Sequence, residues 1–305
     1  MKILVTGATH GMGKGVAKIL GNIDQQSHEV IILGRSNELG NSVVNEIVAT
    51  TGNHKVSFIP CDLSKLNDVK QAIKIIQNSH DYLDGLFINA GIGYAKQHEI
   101  TEDGLDAHFQ VNYLSQFILT LNLLNLLENS KKGGRVIFNT PSFGEMVWDD
   151  LQMEKSWHYE KAIGQSIVAK RMFLYKLHQL YCNHPNANLS FVGFSISKTV
   201  WSNQLNLIPP AMRVMPAILK LFGFFISIEK CGEIMAPLFT EETSDSLQKS
   251  GKLITWKNNA FIQMQEKAIY MDPKMQDKLW EISLNLCDDD KTREIAKSLE
   301  KYFLQ

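Results

Sequence analysis

The chain has few cysteines, almost no net charge and no repeat or low-complexity segment. Four cysteines occur among 305 residues, and Cys61, Cys182, Cys231 and Cys287 are scattered without any Cys-x-x-Cys pair. Neither a disulfide framework nor a zinc or other metal site is therefore expected. The formal net charge is −1 and no long basic run is present, which disfavours nucleic acid and acidic membrane surfaces as partners.

The sequence also lacks an apolar run long enough to cross a bilayer. The apolar stretch at 216–228 is too short and is interrupted by Lys220. The first strand-like run begins at residue 2, which leaves no room for a signal peptide. We therefore expect a cytoplasmic protein without a transmembrane segment.

Short apolar runs alternate with helical stretches along the chain. The strand-like runs are 2–6, 30–33, 56–60, 83–88, 135–139 and 189–194. This alternation predicts an α/β fold with a doubly wound parallel sheet of the Rossmann type. We expect one domain over 1–305 with a helical C-terminal extension, because 44% of the residues are hydrophobic and suffice for one large core. Residues 200–230 are a candidate substrate lid, although a packed surface helix or a homodimer contact would also explain their apolar character.

A glycine-rich turn follows the first strand. Residues 6–13 read Thr-Gly-Ala-Thr-His-Gly-Met-Gly. Glycines here permit a tight turn and let a pyrophosphate approach the backbone, while free N–H groups at the following helix N-terminus face the anion. The predicted phosphate-binding residues are Gly7, Thr9, His10, Gly11, Met12 and Gly13.

The residue after the second strand predicts which dinucleotide is bound. The run that ends at residue 33 is followed by Gly34-Arg35-Ser36. An acid at this place would accept hydrogen bonds from the adenine ribose of NAD, whereas an arginine can pair with the 2′-phosphate of NADP. Arg35 therefore predicts NADP(H) as the cofactor, and the alternative is a solvated surface arginine.

Together these motifs resemble the short-chain dehydrogenase/reductase family. The Gly-x-x-x-Gly-x-Gly spacing fits that family, and further matches follow in family order at Asp62, at Asn89-Ala90-Gly91 and at Asn112. Residues 278–283 (Lys-Leu-Trp-Glu-Ile-Ser) look like the retinol-dehydrogenase-like branch. The resemblance covers nearly the whole chain and implies hydride transfer between a nicotinamide and a carbonyl or alcohol carbon.

The resemblance also assigns roles to individual residues. It places Asp62 and Leu63 near the adenine, Asn89, Ala90 and Gly91 along the cofactor cleft, and Thr199 at the nicotinamide amide. Asn112 corresponds to the family asparagine that holds a water between the catalytic lysine and solvent. On the residues alone, Asp62 also suits a helix N-cap before residue 66, Asn112 a bridge between helices, and Thr199 an exposed side chain.

The catalytic positions depart from the family pattern. In the best register, Ile163 stands at the catalytic tyrosine, Ile167 at the lysine one helical turn on, and Pro141 at the serine. A rival register that puts Tyr159 at the tyrosine still leaves Ile163 at the lysine. Neither register restores the pair in which a lysine lowers the phenol pKa from about 10.

Two side chains near the substituted positions are candidate replacements. Ser142 lies one place after Pro141, and Tyr159 lies one turn, about 6 Å, before Ile163. Together with Asn112, they are the predicted catalytic residues. Either could equally be structural, since serine beside proline is common in turns.

Three functions remain open from the sequence. The first is an NADP(H)-dependent oxidoreductase with a non-standard proton donor, acting on an apolar small molecule. The second is a non-redox enzyme on the same fold, such as a cyclase, lyase or isomerase. The third is a catalytically inactive NADP(H)-binding sensor or scaffold.

Overall fold

The computed structural model describes residues 1–23, 28–181, 188–196, 199–200 and 225–303. Within these residues an eight-stranded sheet forms the centre of the fold. Its strands are β1 (Lys2–Thr6), β2 (Glu29–Gly34), β3 (Val56–Pro60), β4 (Gly85–Ile88), β5 (Arg135–Asn139), β6 (Ser190–Phe194), β9 (Lys252–Lys257) and β10 (Ala260–Gln263). A separate pair is formed by β7 (Thr199–Val200) and β8 (Phe225–Ile226).

The strand order places a crevice at the middle of the sheet. The order is β10-β9-β6-β5-β4-β1-β2-β3, and every pair is parallel except β9 with β10. The chain runs outward from β1 in one direction and then returns through β4 to build the other half. Ligands in such sheets bind at the carboxyl ends of the strands where the order reverses, which here is the β1–β4 junction.

Helices cover both faces of the sheet, and each face carries its own apolar cluster. The helices before residue 182 are α1 (Gly11–Asn22), α2 (Asn37–Thr51), α3 (Leu66–Ser79), α4 (Ala107–Phe109), α5 (Ser115–Glu128) and α6 (Tyr159–Tyr181), with a π-helix at Gln110–Leu114 between α4 and α5. In β1, successive residues Ile3, Leu4 and Val5 are all fully buried. Such continuous apolar runs are typical of parallel strands covered on both faces. The predicted doubly wound fold is therefore confirmed.

The predicted helical C-terminal extension is also present. The later helices are α7 (Ile228–Met235), α8 (Pro237–Thr240), α9 (Thr243–Lys249), α10 (Ala268–Met271), α11 (Pro273–Leu286) and α12 (Asp290–Phe303). Trp280 of α11 packs its ring 5.3 Å from that of Phe117, and Ser283 bonds the hydroxyl of Tyr113 at 2.6 Å. The extension is thus part of the core that surrounds α5 and α6.

Two strands of the eight-stranded sheet were missing from the sequence prediction, as was the short pair β7 and β8. β9 joins the sheet beside β6, and β10 returns antiparallel to it across Asn258 and Asn259. Both asparagines have positive φ, 53° and 57°, as a tight hairpin turn requires. Lysines flank and polar residues interrupt these short runs, so their periodicity is weak.

Most of the candidate lid lies outside the described residues. Of 200–230, the structure describes residue 200 and residues 225–230, where β8 ends and α7 begins. The lid therefore stays a prediction. Across the described ranges, no helix combines the length and apolarity needed to cross a bilayer.

Candidate cofactor cleft and active site

The glycine turn sits at the carboxyl end of β1 in a conformation that requires glycine. Gly7 and Gly11 have φ of 66° and 53°, in the left-handed region that side chains disfavour. The Gly7 N–H donates to the Leu33 carbonyl at 2.8 Å. A Cβ on Gly13 would lie 2.5 Å from Asn89 Nδ2 and 2.7 Å from the Gly7 carbonyl oxygen. The turn is therefore closed tightly against the end of β4.

The N-terminus of α1 is suited to bind an anion. His10 occupies the N-cap position without a side-chain capping bond, and the first turn holds no acidic residue. The first N–H groups of a helix then remain available, and the helix dipole favours negative charge beside them. Partial burial, together with the charges of Lys14 and Arg35, lowers the pKa of His10. The cleft thus carries a positive field next to free backbone donors.

Arg35 lies at the rim of this anion site. It is exposed directly after β2, and the described residues provide no ion-pair partner for it. Beneath it, Thr9 packs so closely that a Cβ on Gly34 would lie 3.0 Å from its Cγ2 atom. Arg35 and the α1 N-terminus therefore border the same end of the cleft, as the NADP(H) prediction requires.

Asp62 makes a local turn after β3. Its Oδ1 accepts hydrogen bonds from the Ser64 N–H at 3.0 Å and the Ser64 hydroxyl at 2.8 Å. The alternative role of Asp62 as helix cap is wrong, because α3 begins at Leu66 and its N–H donates to Asp103 instead. The adjacent Leu63 is buried and its carbonyl accepts from Ser115.

The end of β4 is hydrogen-bonded to the glycine turn. Thr6 Oγ1 accepts from the N–H groups of Asn89 at 2.9 Å and Ala90 at 3.0 Å. The Asn89 amide donates back to the Thr6 carbonyl at 3.0 Å, and Gln116 donates to the Ala90 carbonyl at 2.8 Å. These bonds fix the floor of the cleft across the β1–β4 junction.

Asn112 joins the 91–93 loop to α6. It lies 4% exposed in the π-helix, a distortion that recurs at functional sites. Its Oδ1 accepts from the Ile92 N–H at 2.7 Å, and its Nδ2 donates to the Ile92 carbonyl at 3.1 Å and to Ser166 Oγ at 3.0 Å. The Asn112 amide therefore links the loop to α6. The proposed water-holding role of Asn112 stays a prediction.

The opposite wall of the cleft is apolar. Thr140 Oγ1 donates to the Ile167 carbonyl at 3.3 Å, which places the loop after β5 against the part of α6 that aligns with the catalytic lysine. Ile167 is 8% exposed, Ile163 is partly buried, and Ser142 is exposed. Of Ile163, Ile167 and Ser142, only Ser142 carries a side chain that can form a hydrogen bond.

Tyr159 is the first residue of α6. Its ring packs edge-on against Tyr94 at 5.0 Å, and its hydroxyl donates to Glu160 at 3.2 Å. Partial burial and the Glu160 carboxylate raise the pKa of Tyr159. This environment is opposite to that of a phenol activated by a lysine. Of Thr199, the structure describes the backbone in β7, so its nicotinamide contact stays a prediction.

Two buried cations that the sequence interpretation missed hold the loop after β5. Lys170 donates to the Asn139 carbonyl at 3.3 Å. Arg171 donates to the carbonyls of Pro141 and Phe143, and pairs with Glu266 at 2.6 Å. The available signal was a Lys-Arg pair inside an otherwise apolar helical stretch at 167–174, where an unpaired charge would be costly.

A surface pocket of about 530 Å³ lies beside this loop. Its lining combines the segment after Gly144 with the first turns of α6: Glu145, Met146, Val147, Trp148, Asp149, Glu160 and Lys161. Gly144 and Gly164 bring the two walls together, since a Cβ on Gly164 would lie 2.9 Å from Gly144 Cα. The pocket therefore adjoins the apolar wall of the cleft.

Comparison with known proteins agrees with this geometry. A family model described as short chain dehydrogenase matches residues 1–152. The chain is 33% identical to polyprenol dehydrogenase of Homo sapiens over 215 residues, which cover 66% of this chain and 64% of that protein. The match thus spans less than two thirds of that relative. Polyprenol dehydrogenase of Danio rerio is 28% identical over 93% of this chain and 85% of its own length.

Other relatives and solved structures extend the comparison. Retinol dehydrogenase 11 of Homo sapiens is 34% identical over 57% of this chain and 54% of its own length. The fold is similar to L-sorbose reductase from Gluconobacter frateurii, complexed with NADPH and L-sorbose, with a TM-score of 0.65 at 14% identity over 84% and 94% of the two chains. It is also similar to Pseudomonas aeruginosa RhlG in an NADP complex, with a TM-score of 0.64 at 20% identity over 83% and 93%.

Proposed function

Because the chain belongs to the short-chain dehydrogenase/reductase family, we propose that it is an NADP(H)-dependent oxidoreductase acting on an apolar small molecule. The observation that carries the proposal is the structure of the phosphate-binding end of the cleft. It combines the glycine turn, an uncapped α1 N-terminus, the exposed Arg35 and a β4 end fixed by Thr6. When bound, the dinucleotide donates or accepts a hydride at its nicotinamide.

The chain's residues divide the binding work between them. The N–H groups of the α1 N-terminus hold the pyrophosphate, and Arg35 pairs with the 2′-phosphate. Asp62 and Leu63 border the adenine, Asn89 to Gly91 border the middle of the cleft, and Thr199 contacts the nicotinamide amide. Asn112 keeps the 91–93 loop in place through its two bonds to Ile92.

The substrate side favours an apolar molecule. Pro141, Ile163 and Ile167 exclude water from the position where a substrate oxygen lies in the family. The names of the relatives, polyprenol dehydrogenase and retinol dehydrogenase, make isoprenoid alcohols and aldehydes the first substrates to test. The cytoplasmic location and the homodimer expected from the sequence stay predictions.

The proton must come from a weaker donor than the family tyrosine. Tyr159 has a raised pKa and a hydroxyl bonded to Glu160, and Ser142 is an exposed hydroxyl. Reduction of an activated C=C bond can take its proton from solvent. Such a reaction does not need Tyr159 or Ser142 as a strong proton donor. Carbonyl reduction without an acid loses about 10²–10⁴-fold in rate.

One labelled turnover tests the redox assignment. NADPH carrying deuterium at C4 is incubated with the enzyme and a panel of isoprenoid aldehydes and enals, the classes that accept a hydride. Deuterium in the product, detected by mass spectrometry, supports the oxidoreductase. Product without deuterium, formed equally well with NADP⁺, supports the alternative of a cyclase, lyase or isomerase.

The specific observation that favours this alternative is the loss of all three catalytic positions to Pro141, Ile163 and Ile167. Non-redox chemistry in the old pocket does not need them. If NADPH binds and no compound of the panel reacts, the third possibility, a sensor or scaffold, takes precedence. If NADPH fails to bind, the cofactor assignment itself is wrong.

A further inference from the structure

Lys170 is a buried lysine at the edge of the cofactor cleft. It lies in α6 one helical turn after Ile167, and its side chain reaches the carboxyl end of β5. The residue is 4% exposed, and its Nζ donates to the Asn139 carbonyl at 3.3 Å. Among the described residues, no carboxylate pairs with it.

The charged and titratable groups on the elements packed against α6 are engaged elsewhere. His108 contacts the Gly93 carbonyl, Tyr113 pairs with Ser283, Asp277 with Lys176, Glu266 with Arg171, Tyr270 with the Gly144 carbonyl, and Arg293 with Asp290. Arg135, at the opposite end of β5, donates to the carbonyls of Phe239 and Glu241. Burial alone therefore acts on Lys170 and lowers its pKa to about 7.

A polar chain connects Lys170 to the glycine turn. Its acceptor residue Asn139 donates through Nδ2 to Asn89 Oδ1 at 3.1 Å, and Asn89 donates to the Thr6 carbonyl at 3.0 Å. These residues lie at the carboxyl ends of β5, β4 and β1, and Asn139 and Asn89 are half-buried. Ligands of doubly wound sheets bind over this edge. Lys170 is thus the buried titratable group beneath the floor of the cleft.

We propose that Lys170 determines which oxidation state of the dinucleotide the protein prefers. The inference rests on the proposed NADP(H) function. The nicotinamide ring is cationic in NADP⁺ and uncharged in NADPH. An ammonium at Lys170 repels the cationic ring and so favours NADPH, whereas the neutral amine accepts NADP⁺. Binding of NADP⁺ then lowers the pKa of Lys170 and releases a fraction of a proton to solvent.

The size of the effect follows from electrostatics. A like charge close to the ring, at an effective dielectric constant of about 20, changes an affinity by about tenfold. The sign is fixed by the lowered pKa: below pH 7 Lys170 is charged and NADP⁺ binds weakly, and above it the penalty disappears. The 2′-phosphate and His10 titrate with both cofactors, so their contribution cancels in the ratio of the two dissociation constants.

Calorimetry with the full chain tests the proposal without any substrate. NADP⁺ and NADPH are titrated separately between pH 6 and 8.5, in phosphate and in Tris, whose ionisation enthalpies differ. The ratio of the NADP⁺ to the NADPH dissociation constant should fall about fivefold over this range, because the tenfold limit is reached only well below pH 6. Proton release should accompany NADP⁺ binding near pH 7 and be absent for NADPH.

Two variants and a control separate Lys170 from other groups. Lys170→Met should give a low ratio at every pH, and Lys170→Arg, which stays charged, a high ratio at every pH. Lys176→Met removes another buried lysine of α6, one that is paired with Asp277, and should retain the wild-type pH profile. Circular dichroism verifies folding of each variant.

The outcomes are distinct. A pH-independent ratio in the wild type, or an unchanged pH profile in folded Lys170→Met, overturns the role of Lys170 and leaves the cofactor assignment standing. If neither NADP⁺ nor NADPH binds at any pH, the proposed function and this inference are overturned together.

Discussion

The two ends of the proposed cofactor cleft, which we call the adenine end and the nicotinamide end after the proposed binding mode, are built from different kinds of side chain. The adenine end exposes the backbone N–H groups of the α1 N-terminus and the guanidinium of Arg35, both of which attract anions. Glycines with positive φ form the turn that brings these groups together. At the nicotinamide end, Pro141, Ile163 and Ile167 form an apolar wall, and the cations of that region point inward to carbonyl groups. Binding and chemistry are therefore separable in this fold, since one end can stay intact while the other changes.

The largest effect is expected from a substitution that disrupts the adenine end. Gly13→Val should abolish NADPH binding, because the added side chain would meet Asn89 Nδ2 at 2.5 Å and the Gly7 carbonyl at 2.7 Å. The displaced turn then no longer presents its donors, each worth about 1.5–3 kcal/mol to a charged group. Titration calorimetry measures the loss.

Gly104→Ala is the matched control for this variant. Unlike the helical Gly13, Gly104 has a positive φ, 77°, and its added Cβ would meet nothing within 4 Å. We expect a lower melting temperature from backbone strain with unchanged NADPH affinity. Normal NADPH binding by Gly13→Val would mean that residues 6–13 are a structural turn alone.

The next largest effect is expected from restoring the family's tyrosine and lysine at the nicotinamide end. Wild-type protein should turn over simple ketones very slowly, and Ile163→Tyr combined with Ile167→Lys should raise that rate by about 10²–10⁴-fold. The new lysine lowers the phenol pKa and makes it a usable acid. Spectrophotometric NADPH oxidation provides the rate.

A volume-matched pair, Ile163→Phe with Ile167→Met, adds no proton donor and should show no gain. Robust wild-type turnover at neutral pH that survives Tyr159→Phe would contradict the comparison, because the site would then use a group other than those named.

A third change tests whether the inward cations stabilise the nicotinamide end. Arg171→Met should destabilise the protein by about 3 kcal/mol, since it leaves the half-buried Glu266 without its ion-pair partner and the carbonyls of Pro141 and Phe143 without their donor. NADPH affinity should change little, because the adenine end is untouched. Urea unfolding measures the first quantity and calorimetry the second.

Lys230→Met serves as the control, because its exposed pair with Glu233 contributes little. Equal stability of Arg171→Met and Lys230→Met would show that Arg171 does not hold the loop after β5.

The adenine end was predictable from sequence and the nicotinamide end was not. Strand, glycine turn and helix start are local features, so residues 2–13 disclosed their own structure. The contacts of Lys170 and Arg171 join residues about 30 positions apart, and Glu266 reaches Arg171 from the far end of the chain. No local pattern specifies such pairs. Comparison with a motif shows which expected residues are absent, but it does not show which residues replace them.

Asn112 illustrates the same limit within a recognised motif. Its position was predicted, but its bonds to Ile92 and Ser166 depend on how the π-helix meets α6. The missed strands β9 and β10 have the same cause, because β9 is defined by its pairing with β6 some 60 residues earlier.

The smallest effect is expected from a substitution that tests how the adenine end selects NADPH over NADH. Arg35→Asp should weaken NADPH binding by about 10–100-fold, which corresponds to loss of one charge-assisted pair of about 1.5–3 kcal/mol, and should strengthen NADH binding. A carboxylate repels the 2′-phosphate and accepts from the ribose hydroxyls of NADH. Calorimetric titration of both cofactors measures the preference.

Lys131→Asp makes the same charge change at another exposed position and should leave the preference for NADPH intact, so it controls for a general effect of net charge. Equal affinities for NADPH and NADH in the wild type, unaltered by Arg35→Asp, would reduce Arg35 to a solvated surface residue and remove the basis for choosing NADP(H) over NAD(H).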